Sequence, residues 1–212
     1  SILCIHSMLQ NDKPNSKEAL SKATVAHSLA EKLGDKKYEC HALLAMAYAH
    51  KALFDMDRSK IEVQLALKLL DDIDDLRLEA RAHAALAVYY QNNHETDKSL
   101  QQYHTAEHLM LQINDTPALA GIYVNIGNLL CDTSCYDDAI KHFEDALSAS
   151  KNLNILTKML GAYIGLGSAN MYKGNSMQAE HYFDEAMTVA KQIGSNWALA
   201  YANASMGEYH QS

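Results

Sequence analysis

Apolar and small residues recur along the chain at a fixed interval of forty positions. At each interval a large aliphatic residue is directly followed by a small one, and this pair occurs five times without insertion or deletion. The pairs are Met46-Ala47, Leu86-Ala87, Ile126-Gly127, Leu166-Gly167 and Met206-Gly207. Around them, apolar and small residues fall three and four positions apart, which is the spacing of one face of an α-helix. The pattern therefore predicts a helical repeat architecture in which each unit packs against the next.

Three further columns keep the same interval. The first holds a small residue: Ala19, Ser59, Ser99, Ala139 and Ala179. The second, four residues later, becomes aromatic in the later units: Ala23, Val63, Tyr103, Phe143 and Phe183. The third is alanine throughout: Ala26, Ala66, Ala106, Ala146 and Ala186. We expect the small residues where helices cross, with each aromatic side chain filling the gap against the next helix.

Every unit ends with an apolar residue followed by glycine, asparagine or aspartate, which tolerate the left-handed conformation that closes a helix. These closures are Leu33-Gly34, Ile73-Asp74, Ile113-Asn114, Leu153-Asn154 and Ile193-Gly194. Two helices, A and B, are predicted in each unit. The A helices are expected over about 36–52, 76–92, 116–131, 156–173 and 196–212. The B helices are expected over about 16–33, 56–73, 96–113, 136–153 and 176–193.

These columns resemble the tetratricopeptide repeat (TPR), whose pattern is L-G-x2-Y followed by A-x3-F-x2-A. The stretches "LGSAN…AEHYFDEA" and "IGNLL…AIKHFEDA" carry it, and the resemblance covers essentially the whole chain. TPR units usually repeat every ~34 residues, whereas this chain repeats every forty and lacks the closing proline. Forty-residue variants occur in Pins-like polarity adaptors and in sensory parts of bacterial signalling proteins. HEAT-type repeats have a similar interval, but the Ala-x3-aromatic-x2-Ala column favours the TPR.

The resemblance implies an all-α fold, a right-handed superhelical solenoid of about five antiparallel helix pairs. We expect a single domain over 1–212 that is a fragment of a longer protein. Its units are a half repeat at about 16–35, full repeats at 36–75, 76–115, 116–155 and 156–195, and a half repeat at 196–212.

One motif points to chemistry at first sight. His104-Thr-Ala-Glu107-His108 has the H-x-x-E-H spacing of inverted zinc peptidases, which place two histidines on one helix face. In the repeat register, however, Ala106 is the invariant small residue, and both histidines fall in hydrophilic, variable columns. We therefore expect a solvated helix face here rather than a zinc site.

Other short motifs likewise do not indicate a catalytic or ligand-binding site. The glycines of 161–167 lie within a predicted helix rather than after a strand, and the aspartates of 69–76 lack the glycine and terminal glutamate of a calcium loop. No nucleophile elbow holds the serine, histidine and aspartate residues. The sequence thus predicts a non-enzymatic segment without catalytic residue, metal or cofactor.

Composition argues against some classes of partner and indicates a cellular location. A net charge of −8 and a pI near 5.7 argue against nucleic-acid binding, which needs a basic stripe. No apolar run reaches the ~18 residues of a membrane span, and the opening "SILCIHSML" lacks the basic segment and cleavage site of a signal peptide. The cysteines, Cys4, Cys40, Cys131 and Cys135, form no CxxC pair. Free thiols predict a reducing, cytoplasmic location without membrane insertion.

The TPR resemblance also implies a partner groove lined by the A helices. Its predicted residues are His41, Leu44, Tyr48, Lys51, Arg81, Val88, Gln91, Val124, Asn128, Cys131, Ile164, Ser168 and Met171. Basic groups lie toward the N-terminal part of this set and apolar groups toward the C-terminal part. An extended peptide or amphipathic helix with an acidic end and apolar anchors would match that order. The alternative is a spacer whose groove has no ligand.

The leading functional hypothesis is a protein or peptide interaction module. In the family context it would be the sensory or regulatory segment of a larger bacterial signalling protein, such as a diguanylate cyclase, histidine kinase or transcription regulator. The alternative is a stand-alone scaffold that bridges two proteins. Because the last A helix has no B helix after it, a homodimer through this uncapped end is a further expectation.

Overall fold

The chain folds into α-helices joined by short turns. The structure is a computed structural model that describes the backbone of residues 16–211 and the side chains of residues 16–206. The described helices are α1 (Ser16–Leu33), α2 (Lys36–Ala52), α3 (Met56–Leu70), α4 (Leu76–Asn92), α5 (Thr96–Gln112), α6 (Thr116–Asp132), α7 (Tyr136–Lys151), α8 (Leu156–Tyr172), α9 (Ser176–Ile193) and α10 (Asn196–Gln211). Even-numbered helices are the predicted A helices and odd-numbered ones the B helices, so the all-α, TPR-type fold is confirmed. Cys4 and the opening stretch 1–9, where no signal peptide is expected, lie outside the described residues.

Aspartates specify where several helices begin. Asp35, Asp55, Asp75 and Asp115 precede α2, α3, α4 and α6, and each side chain accepts a hydrogen bond from the backbone N–H three residues later. This bond satisfies an N–H that has no partner within the helix. Because the carboxylate also lies at the positive end of the helix dipole, each aspartate stabilises a helix start at its position.

Left-handed residues close most units, as the sequence predicts. Gly34, Asn114, Asn154 and Gly194 have φ values of 66°, 53°, 51° and 67°. Asp74 is different, since it does not have a positive φ and α3 ends at Leu70 rather than at Ile73. The physical reason lies in the aspartates of "LLDDIDDL", whose negative charge is unfavourable at the negative end of a helix dipole.

A second set of left-handed residues joins each A helix to its B helix. Phe54 occupies this position with φ 62° and a side chain that is 93% exposed, whereas Gly174 occupies the equivalent position with φ 82°. We expect Phe54→Gly to raise the free energy of unfolding by about 1 kcal/mol, because glycine has no Cβ to strain in this conformation. Denaturant unfolding of the two proteins measures the difference.

Gly174→Ala is the matched control for that change. A Cβ added at Gly174 meets nothing within 4 Å, so any effect of alanine there is conformational. We expect this variant to lose about 1 kcal/mol. Equal stability of Phe54→Gly and the parent, together with no loss in Gly174→Ala, would show that the turn carries no strain.

The helices form two compact units, the first ending at Ile113 and the second starting at Asn114. In unit one, α1 to α5 pack in chain order, and the A helices α2 and α4 also contact each other. Leu44, Val63, Leu78 and Tyr103 are each less than 2% exposed in its core. The single domain predicted over 1–212 stays a prediction.

Unit one also buries a hydrogen-bonded histidine–glutamate pair that no repeat column predicts. His50 of α2 and Glu62 of α3 are 6% and 7% exposed. The His50 Nδ1 atom lies 2.8 Å from Glu62 Oε1 and 2.9 Å from Oε2. This contact joins an A helix to the following B helix through polar groups in an otherwise apolar interface.

In unit two, α6 to α10 pack in chain order, and α8 also contacts the A helices α6 and α10. Phe143 of α7 is fully buried against glycines of two A helices. A Cβ added to Gly165 would lie 2.3 Å from Phe143 Cε1, and one added to Gly127 would lie 2.6 Å from the same atom. The predicted fit of a B-helix aromatic ring against the next A helix is therefore confirmed at Phe143.

The alanine column is buried in both units, as expected. Ala26, Ala66, Ala106 and Ala146 are 0% exposed and Ala186 is 1% exposed.

Candidate partner-binding faces

Two sets of side chains line the outward surface of the A helices, one in each unit. We call the first the unit-one face: His41, Tyr48 and Lys51 of α2 with Arg81, Val88 and Gln91 of α4. The second is the unit-two face: Val124, Asn128 and Cys131 of α6 with Ser168 and Met171 of α8. All of these side chains are partly or fully exposed. Their role in contacting a partner stays a prediction.

Two residues of the predicted groove lie in the core instead. Leu44 is 0% exposed and Ile164 is 6% exposed, so both support the faces from beneath. The repeat register places these positions on the A helix, but how much surface they retain depends on the neighbouring helices.

The unit-one face carries positive charge. The Arg81 Nη1 atom lies 3.4 Å from His41 Nδ1, and since a guanidinium can only donate, His41 accepts. Burial raises the pKa of the nearby Cys40 thiol to about 11, and the charge of Arg81 offsets part of this shift. Partial burial lowers the pKa of Lys51, although its side chain keeps contact with solvent. His41 and Arg81 are thus brought together as a polar pair on neighbouring helices.

Aromatic and amide groups complete the unit-one face. The Tyr48 side chain is 42% exposed, so much of its surface is available to a partner. Gln91 is held from below, because the Tyr103 hydroxyl donates a hydrogen bond of 3.4 Å to its Oε1 atom.

The unit-two face is more apolar. Val124, Cys131 and Met171 are half-buried, and Asn128 is exposed among them. Burial raises the pKa of Cys131 to about 11, so this residue is a neutral thiol at neutral pH. Apolar anchors with one hydrogen-bonding amide are what the sequence predicts here.

Lys158 is a basic group on α8 that the groove columns do not include. A Cβ added to Gly121 of α6 would lie 2.9 Å from Lys158 Nζ, so the absent side chain leaves room for this ammonium. At Gly161, by contrast, an added Cβ would make an ordinary contact, 3.5 Å from Val124 Cγ1. The sequence signal for this basic group is the column of His41, Arg81, Gly121, Gly161 and Tyr201, in which two consecutive positions of unit two are glycine.

The end of unit two carries an exposed aromatic pair. Trp197 and Tyr201 of α10 stack with ring centroids 5.7 Å apart, and they are 47% and 41% exposed. This surface is compatible with the expected homodimer, which stays a prediction.

The H-x-x-E-H motif does not assemble a metal site. His104 Nδ1 lies 3.0 Å from the Glu107 carboxylate, and His108 Nδ1 lies 3.4 Å from Gln112 Nε2 on the same helix. Both histidines are exposed. Within the described part of the chain, no group of three or more histidine, cysteine, aspartate or glutamate side chains could hold a metal ion. Of the described helices, none combines the length and apolar character required to cross a membrane.

Solved structures with the same helical arrangement span several kinds of protein. One is aspartyl phosphate phosphatase F from Bacillus subtilis, with a TM-score of 0.80 and 15% identity over 98% of this chain and 53% of that one. Another is BtubC from P. vanneervenii, with a TM-score of 0.71 and 14% identity over 93% of this chain and 87% of that one. A third is a signal-transduction ATPase with numerous domains and a tetratricopeptide repeat sensor from Pyrococcus horikoshii, with a TM-score of 0.74. It is 17% identical over 88% of this chain and 29% of that one.

This chain therefore spans about half of the Bacillus protein and less than a third of the Pyrococcus protein. No protein-family model matches the sequence, and no curated protein matches it. At these identities the likeness concerns the fold. The repeat columns, the paired A and B helices and these structural neighbours together show that the chain has the fold of a tetratricopeptide-repeat protein.

Proposed function

We propose that the chain is a non-catalytic interaction module that binds a protein or peptide on its A-helix faces. The observation that carries the proposal is the unit-one face, where Arg81, His41 and Lys51 present basic groups on a chain of net charge −8. Acidic residues of a partner suit this face, and apolar anchors suit the unit-two face. The partner chemistry is thus an extended peptide or amphipathic helix with an acidic end.

The proposed context is the sensory or regulatory segment of a larger, cytoplasmic bacterial signalling protein. A structural neighbour named as a signal-transduction ATPase carries a tetratricopeptide repeat sensor, and this chain matches 29% of it. A match to such a small part of the neighbour is expected of a repeat segment that is joined to an output domain. A diguanylate cyclase, histidine kinase or transcription regulator is the type of output that the sequence resemblance implies.

A stand-alone scaffold is the second candidate. It is favoured by the division into two compact units with faces of different chemistry, one basic and one apolar. Each unit would then hold its own partner, and the chain would bridge them.

The first test is selection of peptides from a random displayed library on the immobilised chain. We expect the selected peptides to combine acidic residues with apolar anchors, and Arg81→Glu to weaken their binding at least about tenfold, since a charged contact becomes repulsive. Asn128→Ala is expected to weaken the binding of peptides that use the unit-two face. Calorimetry of each variant with synthetic peptides measures both effects.

Lys68→Glu is the matched control, because this lysine is exposed on the B helix α3 of the same unit and the charge change is identical. If Lys68→Glu weakens binding as much as Arg81→Glu does, general repulsion accounts for the loss. Parental affinity in Arg81→Glu with unchanged helicity would refute the unit-one face as the binding surface.

A further inference from the structure

Unit two contains a cleft that none of the unit-two face residues line. Its volume is about 570 Å³, and side chains of the B helices α7 and α9 form its walls over α8. This volume falls within the roughly 300–1,000 Å³ of typical ligand pockets. Tyr163 and Leu166 of α8 lie at its base, and Tyr182 of α9 lies beside them.

The walls of the cleft carry two carboxylates, and the basic side chains of Lys151 and His181 line the same cleft. Glu144 comes from α7 and Glu185 from α9. Neither has an ion pair within 4.0 Å among the described residues. Burial raises the pKa of Tyr182, the charge of Glu144 adds to this rise, and the charge of Lys151 offsets part of it. The cleft thus combines an aromatic surface with two carboxylates that make no ion pair.

The cleft already holds one cation from the chain itself. Lys151 at the end of α7 places its Nζ atom 5.4 Å from the centre of the Tyr163 ring. This distance is within the range of a cation–π contact. Because the Lys151 side chain is exposed, it can move aside without disturbing the core.

We propose that this cleft binds an arginine side chain presented by a partner protein, with the guanidinium stacked on Tyr182 between Glu144 and Glu185. The flat guanidinium can stack on a tyrosine ring and donate hydrogen bonds from its edge to carboxylates on two walls. A lysine ammonium is compact and strongly hydrated, so it gains less from the same surroundings. This inference is independent of the A-helix faces and adds a second surface of opposite charge preference.

The test uses acetyl-Gly-Arg-Gly-amide as the probe and the isotope-labelled chain in solution. We expect saturable shifts of the amide resonances of 144–151 and 181–185. The citrulline counterpart, which has the same shape without the charge, is expected to cause none. The lysine counterpart is expected to bind at least about threefold more weakly.

Charge-matched variants then locate the site. We expect Glu144→Gln with Glu185→Gln to weaken binding of the arginine peptide at least about tenfold. The control is Asp145→Asn with Asp184→Asn, which alters the net charge equally at exposed neighbouring positions on the same helices. The control is expected to bind like the parent. Equal losses in both variants would show general attraction to an acidic chain and would overturn the proposal.

Lys151→Met distinguishes a binding role from a structural one. Removing this cation is expected to tighten binding of the arginine peptide several-fold, because the Lys151 charge no longer repels a guanidinium on the nearby Tyr182 ring. Unchanged or weaker binding in this variant would contradict the proposed place of the guanidinium. Equal affinity for the lysine peptide would overturn the choice of arginine, and equal affinity for methylguanidinium alone would overturn the protein partner.

The result of this test can be distinguished from the result of the peptide-binding test on the A-helix faces. Arg81→Glu lies in unit one, and it is expected to leave binding in the cleft unchanged.

Discussion

Gly165→Ala is expected to lower the free energy of unfolding by about 3 kcal/mol, at the upper end of the cost of overpacking a core. The added Cβ would lie 2.3 Å from Phe143 Cε1, closer than any van der Waals contact allows. The ring has little space to retreat, because a Cβ at Gly127 would lie only 2.6 Å from the same atom and Phe143 is 0% exposed. Denaturant unfolding of the variant and the parent measures the loss.

Gly161→Ala is the matched control, one turn earlier on the same helix. Its added Cβ would lie at an ordinary 3.5 Å from Val124 Cγ1. Since alanine is a better helix former than glycine, this variant is expected to gain up to about 1 kcal/mol. A similar change in stability for the two variants would show that Phe143 does not fill the space beside Gly165. Phe143→Leu combined with Gly165→Ala is expected to recover part of the loss, because the smaller side chain leaves room for the methyl group.

Glu62→Ala is expected to cost about 3 kcal/mol, because it leaves the buried His50 without its partner. Replacing both residues, in His50→Leu with Glu62→Leu, is expected to stay near the parental stability, since apolar groups remove the desolvation cost of both partners. Urea unfolding followed by circular dichroism gives both values. Glu79→Ala is the control, because Glu79 pairs with His83 at 4.0 Å and its side chain is 39% exposed. Such an exposed pair contributes less than about 1 kcal/mol.

The same pair gives a pH dependence with a defined sign. Burial raises the pKa of Glu62 above its usual 4.5, and the hydrogen bond to His50 opposes part of this shift. When the pKa of a carboxyl is raised in the folded protein, its contribution to stability is fully present at pH values below the unfolded pKa. This contribution is lost as the pH rises through the pKa of the folded protein. The stability of the parent relative to Glu62→Gln is therefore expected to fall as the pH rises from 4.5. A difference that grows with pH over that interval would refute the raised pKa.

Part of the candidate surface could be predicted from residue order. The A-helix positions of Tyr48, Arg81 and Asn128 follow from the repeat register, and all three are accessible in the structure. Leu44 and Ile164 follow the same register, but both are buried because neighbouring helices cover them. Lys158 was missed because its place depends on the space left by Gly121 on a different helix.

The cleft between α7 and α9 has no signature in the repeat. Glu144 and Glu185 lie more than forty residues apart and in different columns, and Tyr163 belongs to an A helix. Only the packing of three helices brings these side chains to one cavity. Polar columns of this kind indicate exposure, but exposure alone does not show which charged groups become neighbours.

The sequence by itself determined the helical repeat, the approximate bounds of its helices, the buried alanine column and most of the left-handed closures. These features depend on contacts between residues close in the chain, namely helix periodicity, aspartate caps and turn conformations. The tertiary structure decided the burial of Leu44 and the His50–Glu62 pair. It also decided which charges surround Tyr182. These features depend on contacts between side chains on separate helices. No local sequence pattern encodes how far one helix covers another.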